Sequence, residues 1–232
     1  MNLDNVAVPI RQLDMEDMPL LMELEAAAWA APLQASEATI RRRLALGHTM
    51  FGAIHGNVLA GTICFTETSQ DPLVRADFPA NFDAYASLPR SEPVHALYAY
   101  NLCVRPSHRG SNTAIRLLKE MERHGRRLGA RWLIGDGRCS SYAGSPAEDD
   151  DHVKADPRFR ATIDRWNETG IRPPLEEIIR DPLLRLHYRA LECEFLYVMP
   201  DFFPQDAASG GFRVISAKDL GARGLSAKDL NE

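Results

Sequence analysis

The decapeptide Arg105-Pro106-Ser107-His108-Arg109-Gly110-Ser111-Asn112-Thr113-Ala114 joins a strongly apolar run to an amphipathic one, and its residue types suit the capture of an anion. The first N–H groups of a helix have no internal acceptor, and the helix dipole adds partial positive charge beside them. Gly110 lets a bulky ligand approach the backbone, and the small residues from Ser111 to Ala114 keep side chains out of its way. Arg109 supplies a cation. A diphosphate fits such a seat, although the same residues also make a plain strand-to-helix turn.

Elements with clear periodicity flank this turn. Val94 to Val104 reads as the strongest strand of the chain, ended by Pro106. Ala114, Ile115, Leu117, Leu118, Met121 and Leu128 then form one helical stripe, opposite Arg116, Lys119, Glu120, Arg123 and Arg127. Gly129 is the expected stop, and Arg131 to Asp136 returns as a strand.

Upstream, Val6 to Leu13 alternates as an edge strand. Asp14 is placed to cap a helix carrying Leu20, Leu21 and Leu24, and Ser36 opens a second with Ile40 and Leu44. Met50 to His55 and Val58 to Thr68 form a hairpin about Gly56-Asn57. Downstream, Phe159, Ile163 and Trp166 mark an inserted helix, and Asp181-Pro182 begins another that runs to Leu191. Phe195 to Met199 and Phe212 to Ile215 are the last strands. Ser69 to Pro93 has no period and reads as either a disordered flap or a functional lid, its aromatics favouring the lid. The repeated Ser216-Ala217-Lys218-Asp219-Leu220 and Ser226-Ala227-Lys228-Asp229-Leu230 read as a surface helix or a frayed end.

The 232 residues carry a formal charge of −5, with 45% apolar and 25% charged side chains. This composition excludes a disordered or collagen-like chain, and the acidic balance argues against gripping nucleic acid. Cys64, Cys103, Cys139 and Cys193 form no C-x-x-C pair and read as reduced thiols. With no leader of signal type and no apolar run near the roughly 20 residues that span a bilayer, a cytoplasmic protein without a membrane partner is expected. The acidic run Glu148-Asp149-Asp150-Asp151 with His152 lacks metal-ligand spacing, so no metal is expected.

Leu102 to Ala114 resembles the acyl-CoA-binding signature of the GNAT superfamily of N-acetyltransferases: a strand, V-x-P-x-x-R-G-x-G-x-G/A, and a helix with paired leucines, here Leu117-Leu118. Asn112 stands at the middle glycine, and asparagine is the next-best residue for unusual backbone angles. Leu186-His187-Tyr188-Arg189-Ala190-Leu191-Glu192-Cys193-Glu194-Phe195 is similar to the family's tyrosine-bearing helix, with Glu192-Cys193 replacing a Gly-Phe pair. The order of elements agrees from about Val6 to Ile215.

The resemblance implies an α/β (α+β) fold, with a mixed, mostly antiparallel central sheet flanked by helices on both faces and splayed at the signature strand. One domain over residues 1–216 would be interrupted at about 69–93 and 139–174, leaving a tail at 217–232. It implies acetyl-CoA as co-substrate and transfer of an acetyl or related acyl group to the amine of a small molecule, by direct attack in a ternary complex. Leu102, Cys103, Val104, Arg109, Gly110, Ser111, Asn112, Thr113 and Ala114 would hold the CoA, the backbone at Leu102 or Cys103 meeting the thioester oxygen.

Tyr188 would protonate the departing thiolate. A base is also needed, with Asp136, Glu67 and His152 as candidates. Asp136 is preferred because its strand end faces the acceptor cleft, though it also reads as a turn cap before Gly137. Phe78, Phe82, Tyr85, Tyr142 and Trp166 are expected to wall a small acceptor site. Arg158, Arg160, Arg165 and Arg172 are placed to hold a carboxylate-bearing acceptor or to stay solvated. A homodimer is compatible with the sequence. The alternatives are a non-catalytic CoA-sensing module and acyl-CoA hydrolysis or decarboxylation on the same scaffold.

Overall fold

The computed structural model describes residues 8–145 and 153–221. Seven strands, β1 (Ile10–Gln12), β2 (Thr49–His55), β3 (Val58–Thr68), β4 (Ala96–Val104), β5 (Trp132–Arg138), β6 (Glu194–Met199) and β7 (Arg213–Asp219), form one sheet in the order β1-β2-β3-β4-β5-β7-β6. Every neighbouring pair is antiparallel except β4 and β5. The helices are α1 (Met18–Ala28), α2 (Glu37–Ala45), α3 (Phe82–Ala86), α4 (Thr113–Leu128), α5 (Pro157–Thr169), α6 (Leu175–Ile178) and α7 (Pro182–Leu191).

Alternation along β4 and β5 sorts side chains to two cores. Leu97 and Leu133 pack with Leu117, Leu118 and Met121 of α4 and Leu184 of α7. Tyr98, Trp132 and Ile134 point the other way, into a cluster with Leu21, Leu24 and Ile40 of α1 and α2. The mixed sheet with helices on both faces is the architecture expected from the resemblance.

Local rules account for the element ends. Asp14 accepts from Glu16 N at 2.8 Å and sits in a reciprocal box with Asp17. Ser36 accepts from Thr39 N at 3.1 Å, and Asp181 from Leu183 N at 2.8 Å. Gly129 ends α4 at φ +70°, a conformation open to glycine.

One irregularity positions the site. β4 and β5 pair from Ala96↔Trp132 to Ala99↔Gly135 and then part, while β3 stays paired with β4 up to Val104. Opposite Cys64 and Phe65, the register with β3 skips Tyr100, a bulge that adds twist where the strands diverge. The β5-facing backbone edge of β4 is thus open from Tyr100 onward.

Three expectations change. The segment from Ser69 to Pro93 is a packed substructure, with Phe78 and Tyr85 in the core and the short helix α3 inside it. His48 holds it through Leu88 O at 2.7 Å, Phe82 N bonds Phe202 O at 2.8 Å, and Arg90 pairs with Glu67 at 2.7 Å. In the second interruption α5 buries Phe159, Ile163 and Trp166 in the first core. The acidic run 148–151 and His152 lie outside the described residues. Ser216 to Leu220, read as a surface helix or frayed end, instead completes β7, because pairing along β5 as far as Trp132↔Asp219 satisfies its backbone. The folded unit therefore runs past residue 216, with Leu220 buried. The second copy of the repeat, at 226–230, is outside the described residues.

Candidate active site

A cavity of about 900 Å³ opens where β4 and β5 part, a size suited to a cofactor-sized ligand. It runs from the start of α4, past the open edge of β4, into a chamber bordered by α2, α3 and the ends of β5 and β7.

The α4 end of the cavity is a cradle of backbone donors. Arg116 is the first residue of α4 to bond back, to Asn112 O at 2.9 Å, and Thr113 N takes Ser111 Oγ at 3.3 Å. Among the described residues no acceptor meets the N–H groups of Gly110, Ser111, Asn112, Ala114 or Ile115, and all five residues line the cavity. Gly110 takes φ +74°, and nothing lies within 4 Å of the place a Cβ would occupy. Asn112 takes the ordinary φ of −81°, so this turn needs no glycine there. Arg109 reaches Val104 O at 3.3 Å and Ala28 O at 3.4 Å, tying the turn to β4 and α1 while keeping its charge beside the cradle.

Ala99 to Val104 line the middle of the cleft and present their main-chain groups to it. Cys103 is a buried neighbour of Thr62, Sγ to Oγ1 3.4 Å, and burial pushes its thiol up to about 12. It is no thiolate nucleophile at neutral pH.

Of the three base candidates, Asp136 lines the cavity. Burial raises its pKa to about 7, while the Arg213 charge and the nearby Tyr98 hydroxyl pull it the other way. Glu67 is not in the wall, being buried against Arg90. His152 is outside the described residues.

On α7 the wall is built from Leu183, Leu186, His187 and Leu191. These positions share one helical face, and Tyr188, about 60° beyond its Leu191 edge, is outside the wall and packed against the first core. The phenol expected to protonate the thiolate is therefore not in the wall, whereas the imidazole beside it is. Burial lowers the His187 pKa to about 4, so it presents a neutral ring at physiological pH. Just beyond, Glu192 takes φ +54°, occupying the left-handed position that the family's glycine would fill. Replacing it by glycine should relieve strain and raise the melting temperature by a few degrees, in line with the roughly 1–2 kcal/mol cost of that region; thermal unfolding of Glu192→Gly checks this.

The chamber differs from the expected aromatic box. Of the five aromatics, Phe82 alone lines it, because burial in the cores claims Phe78, Tyr85 and Trp166, and Tyr142 bonds Asp164 at 2.7 Å. Arg158, Arg160, Arg165 and Arg172 are not in the wall; Arg165, for example, pairs with Glu177 at 2.7 Å. Among the described residues the cations of the chamber are Arg43, Arg138 and Arg213, none of them marked by a local sequence motif. Arg138 grips Asp206 through two bonds of 2.7 Å, and Arg213 reaches the same carboxylate at 3.0 Å. Among the described residues no group of His, Cys, Asp and Glu is placed to hold a metal ion, and no helix is long and apolar enough to cross a membrane.

Comparison with known proteins gives these features a setting. The GphF GNAT-like decarboxylase in complex with isobutyryl-CoA is 25% identical, covers 91% of this chain and 99% of its own, and superposes with a TM-score of 0.70. The loading GNATL domain of CurA from Lyngbya majuscula is 19% identical, covering 91% and 97%, with a TM-score of 0.67. The aminoglycoside 6'-N-acetyltransferase from Enterococcus faecium is 12% identical, covering 91% and 97%, with a TM-score of 0.56. No curated protein matches the sequence significantly. The model of the acetyltransferase (GNAT) family matches residues 10–137, more than half the chain. With its mixed sheet parting between β4 and β5 above a cradle of open N–H groups, the chain belongs to the GNAT acetyltransferase family.

Proposed function

We propose that the protein transfers an acyl group from acyl-CoA to an amine held in the chamber. The observation that carries the reading is Asp136. A carboxyl with a pKa near 7, lining the cleft where the strands part, is partly ionised at neutral pH and strong enough to take a proton from an ammonium group or a relaying water. The cradle at α4 suits a diphosphate, and the open edge of β4 offers N–H groups to the thioester oxygen.

In this mechanism the free amine attacks the thioester carbonyl, whose π electrons move onto oxygen and are stabilised by the β4 backbone. The intermediate collapses, the C–S bond breaks with its electron pair going to sulfur, and the proton lost by nitrogen passes to Asp136. Neutral His187 is a hydrogen-bond donor available to the leaving sulfur. Tyr188→Phe should then keep kcat within about threefold, as expected for a change away from the reacting groups. A loss beyond tenfold in steady-state assays would return the phenol to the reaction.

A second reading rests on the likeness to the GphF GNAT-like decarboxylase. In that reading a carboxylated acyl-CoA bound by this chain loses CO₂, the electrons of the broken C–C bond enter the thioester enolate, and a neutral acid protonates the α-carbon. Below pH 7 Asp136 is largely such an acid. One assay separates the readings. Release of free CoA from acetyl-CoA that depends on added amine supports transfer, and conversion of malonyl-CoA to acetyl-CoA with no amine and no free CoA supports decarboxylation.

A further inference from the structure

Arg43 is the cation of the chamber that the fold does not explain. It sits on α2 with only 7% of its surface exposed and lines the cavity. Its guanidinium carbon lies 5.0 Å from the ring centre of Tyr100 and 5.5 Å from that of Phe82. Among the described residues it makes no ion pair within 4 Å, and its Nε is buried with no hydrogen-bond partner.

Burial raises the Glu25 pKa and the Arg43 charge, which reaches it, pulls it down, but both oxygens of that carboxylate are spent elsewhere. Glu25 gives one oxygen to Ala35 N at 2.9 Å and the other to Asn101 Nδ2 at 3.1 Å. Asp83 borders the same cavity but is exposed and, among the described residues, forms no ion pair with Arg43 within 4 Å. A desolvated guanidinium without a counter-ion in direct contact is costly to keep, by several kcal/mol in general. Two aromatic faces return part of that cost through cation–π contact. They also fix the planar fork, leaving its edge for a ligand. Tyr100 in turn stacks beside Tyr98, ring centres 6.3 Å apart, and Tyr98 neighbours Asp136. The cation and the base thus stand at two ends of one row of rings in the same chamber.

We propose that Arg43 seats a carboxylate of the substrate that enters this chamber. Resting on the transfer reading, the occupant is an amino carboxylate, its amine toward Asp136 and its carboxylate on Arg43. A planar carboxylate offers two acceptor oxygens to the guanidinium fork, and its charge completes a pair that the protein itself leaves open. The other source of the same chemistry is a carboxyl on the acyl group of a malonyl-type CoA ester.

The test compares amino acids with the matched amines lacking the carboxylate, and malonyl-CoA with acetyl-CoA, in wild type and in Arg43→Met and Arg43→Lys. In wild type the carboxylated member of one pair should be preferred about 10–100-fold, the range of a charge-assisted hydrogen bond. Arg43→Met should abolish that preference through KM, leave the acetyl-CoA dissociation constant unchanged and melt no lower than wild type, since an apolar replacement removes a buried unpaired charge. Arg43→Lys should restore part of it. Preference for the amino acids places the carboxylate on the acceptor, and preference for malonyl-CoA places it on the acyl group; either supports the seat. Turnover of amines with no carboxylate preference, or a preference that survives Arg43→Met, overturns it while leaving transfer intact. If no amine is acylated the transfer reading fails, and loss of the malonyl-CoA preference in Arg43→Met still decides the role of Arg43.

Discussion

Asp136→Asn should lower kcat by about 10²–10⁴-fold, the usual contribution of a positioned general base, while acetyl-CoA binds as tightly as in wild type. The wild-type rate should rise with pH through an apparent pKa near 7 and then level off, because the ionised carboxylate accepts the proton. In the variant this inflection should vanish. Stopped-flow or steady-state pH profiles read both effects, and an unchanged inflection near 7 would assign the base elsewhere.

The same substitution has a predictable effect on stability. The Asp136 pKa is raised in the folded state, so its neutral form favours folding, and wild type loses stability as pH climbs from near 4 to near 7. Asparagine has no charge to desolvate. Asp136→Asn should therefore melt several degrees higher than wild type at pH 8 and no higher at pH 4, as scanning calorimetry at the two pH values would show. Higher stability with lower activity is the signature of a group strained for function.

Ala114→Asp should weaken acyl-CoA binding by roughly two orders of magnitude. A carboxylate about 5 Å from a diphosphate costs a few kcal/mol at the effective dielectric of a protein surface. The same charge in the first turn of α4 complements the helix dipole by about 0.3–1 kcal/mol. The variant should accordingly fold as well as wild type or slightly better. Lost affinity with an intact melting curve ties the defect to the cradle, whereas wild-type affinity in titration would place the diphosphate elsewhere.

What could be read from the sequence follows from how local the governing rules are. The turn from Val104 to Ala114 was legible because strand, glycine and helix start are fixed by neighbouring residues, and Gly110 does take the positive φ. Asn112, at the place of the motif's middle glycine, keeps an ordinary φ of −81°, so the turn asks for no glycine there. Helical phase on α7 was ambiguous, since both Leu184-Tyr188-Leu191 and Leu183-Leu186-His187 are acceptable apolar faces. Only packing of Leu184 against Gly137 of β5 selects the one that brings His187 to the cleft.

Phe78 and Tyr85 looked like lid aromatics because their partners are distant in sequence. Phe78 packs on Tyr98, Tyr197 and Phe202, a cluster no local pattern reveals. The sequence does carry a signal for Arg43: it lies three residues after the core residue Ile40, on the buried side of α2.

Calorimetric titration with acetyl-CoA tests the account at its root, since transfer, base and carboxylate seat all require the ester to lie along the open edge of β4. Saturable one-to-one binding is predicted, with a dissociation constant on the order of micromolar to sub-millimolar, weakened by Ala114→Asp and indifferent to Asp136→Asn. Absence of heat with acetyl-CoA and free CoA at millimolar concentration would contradict it.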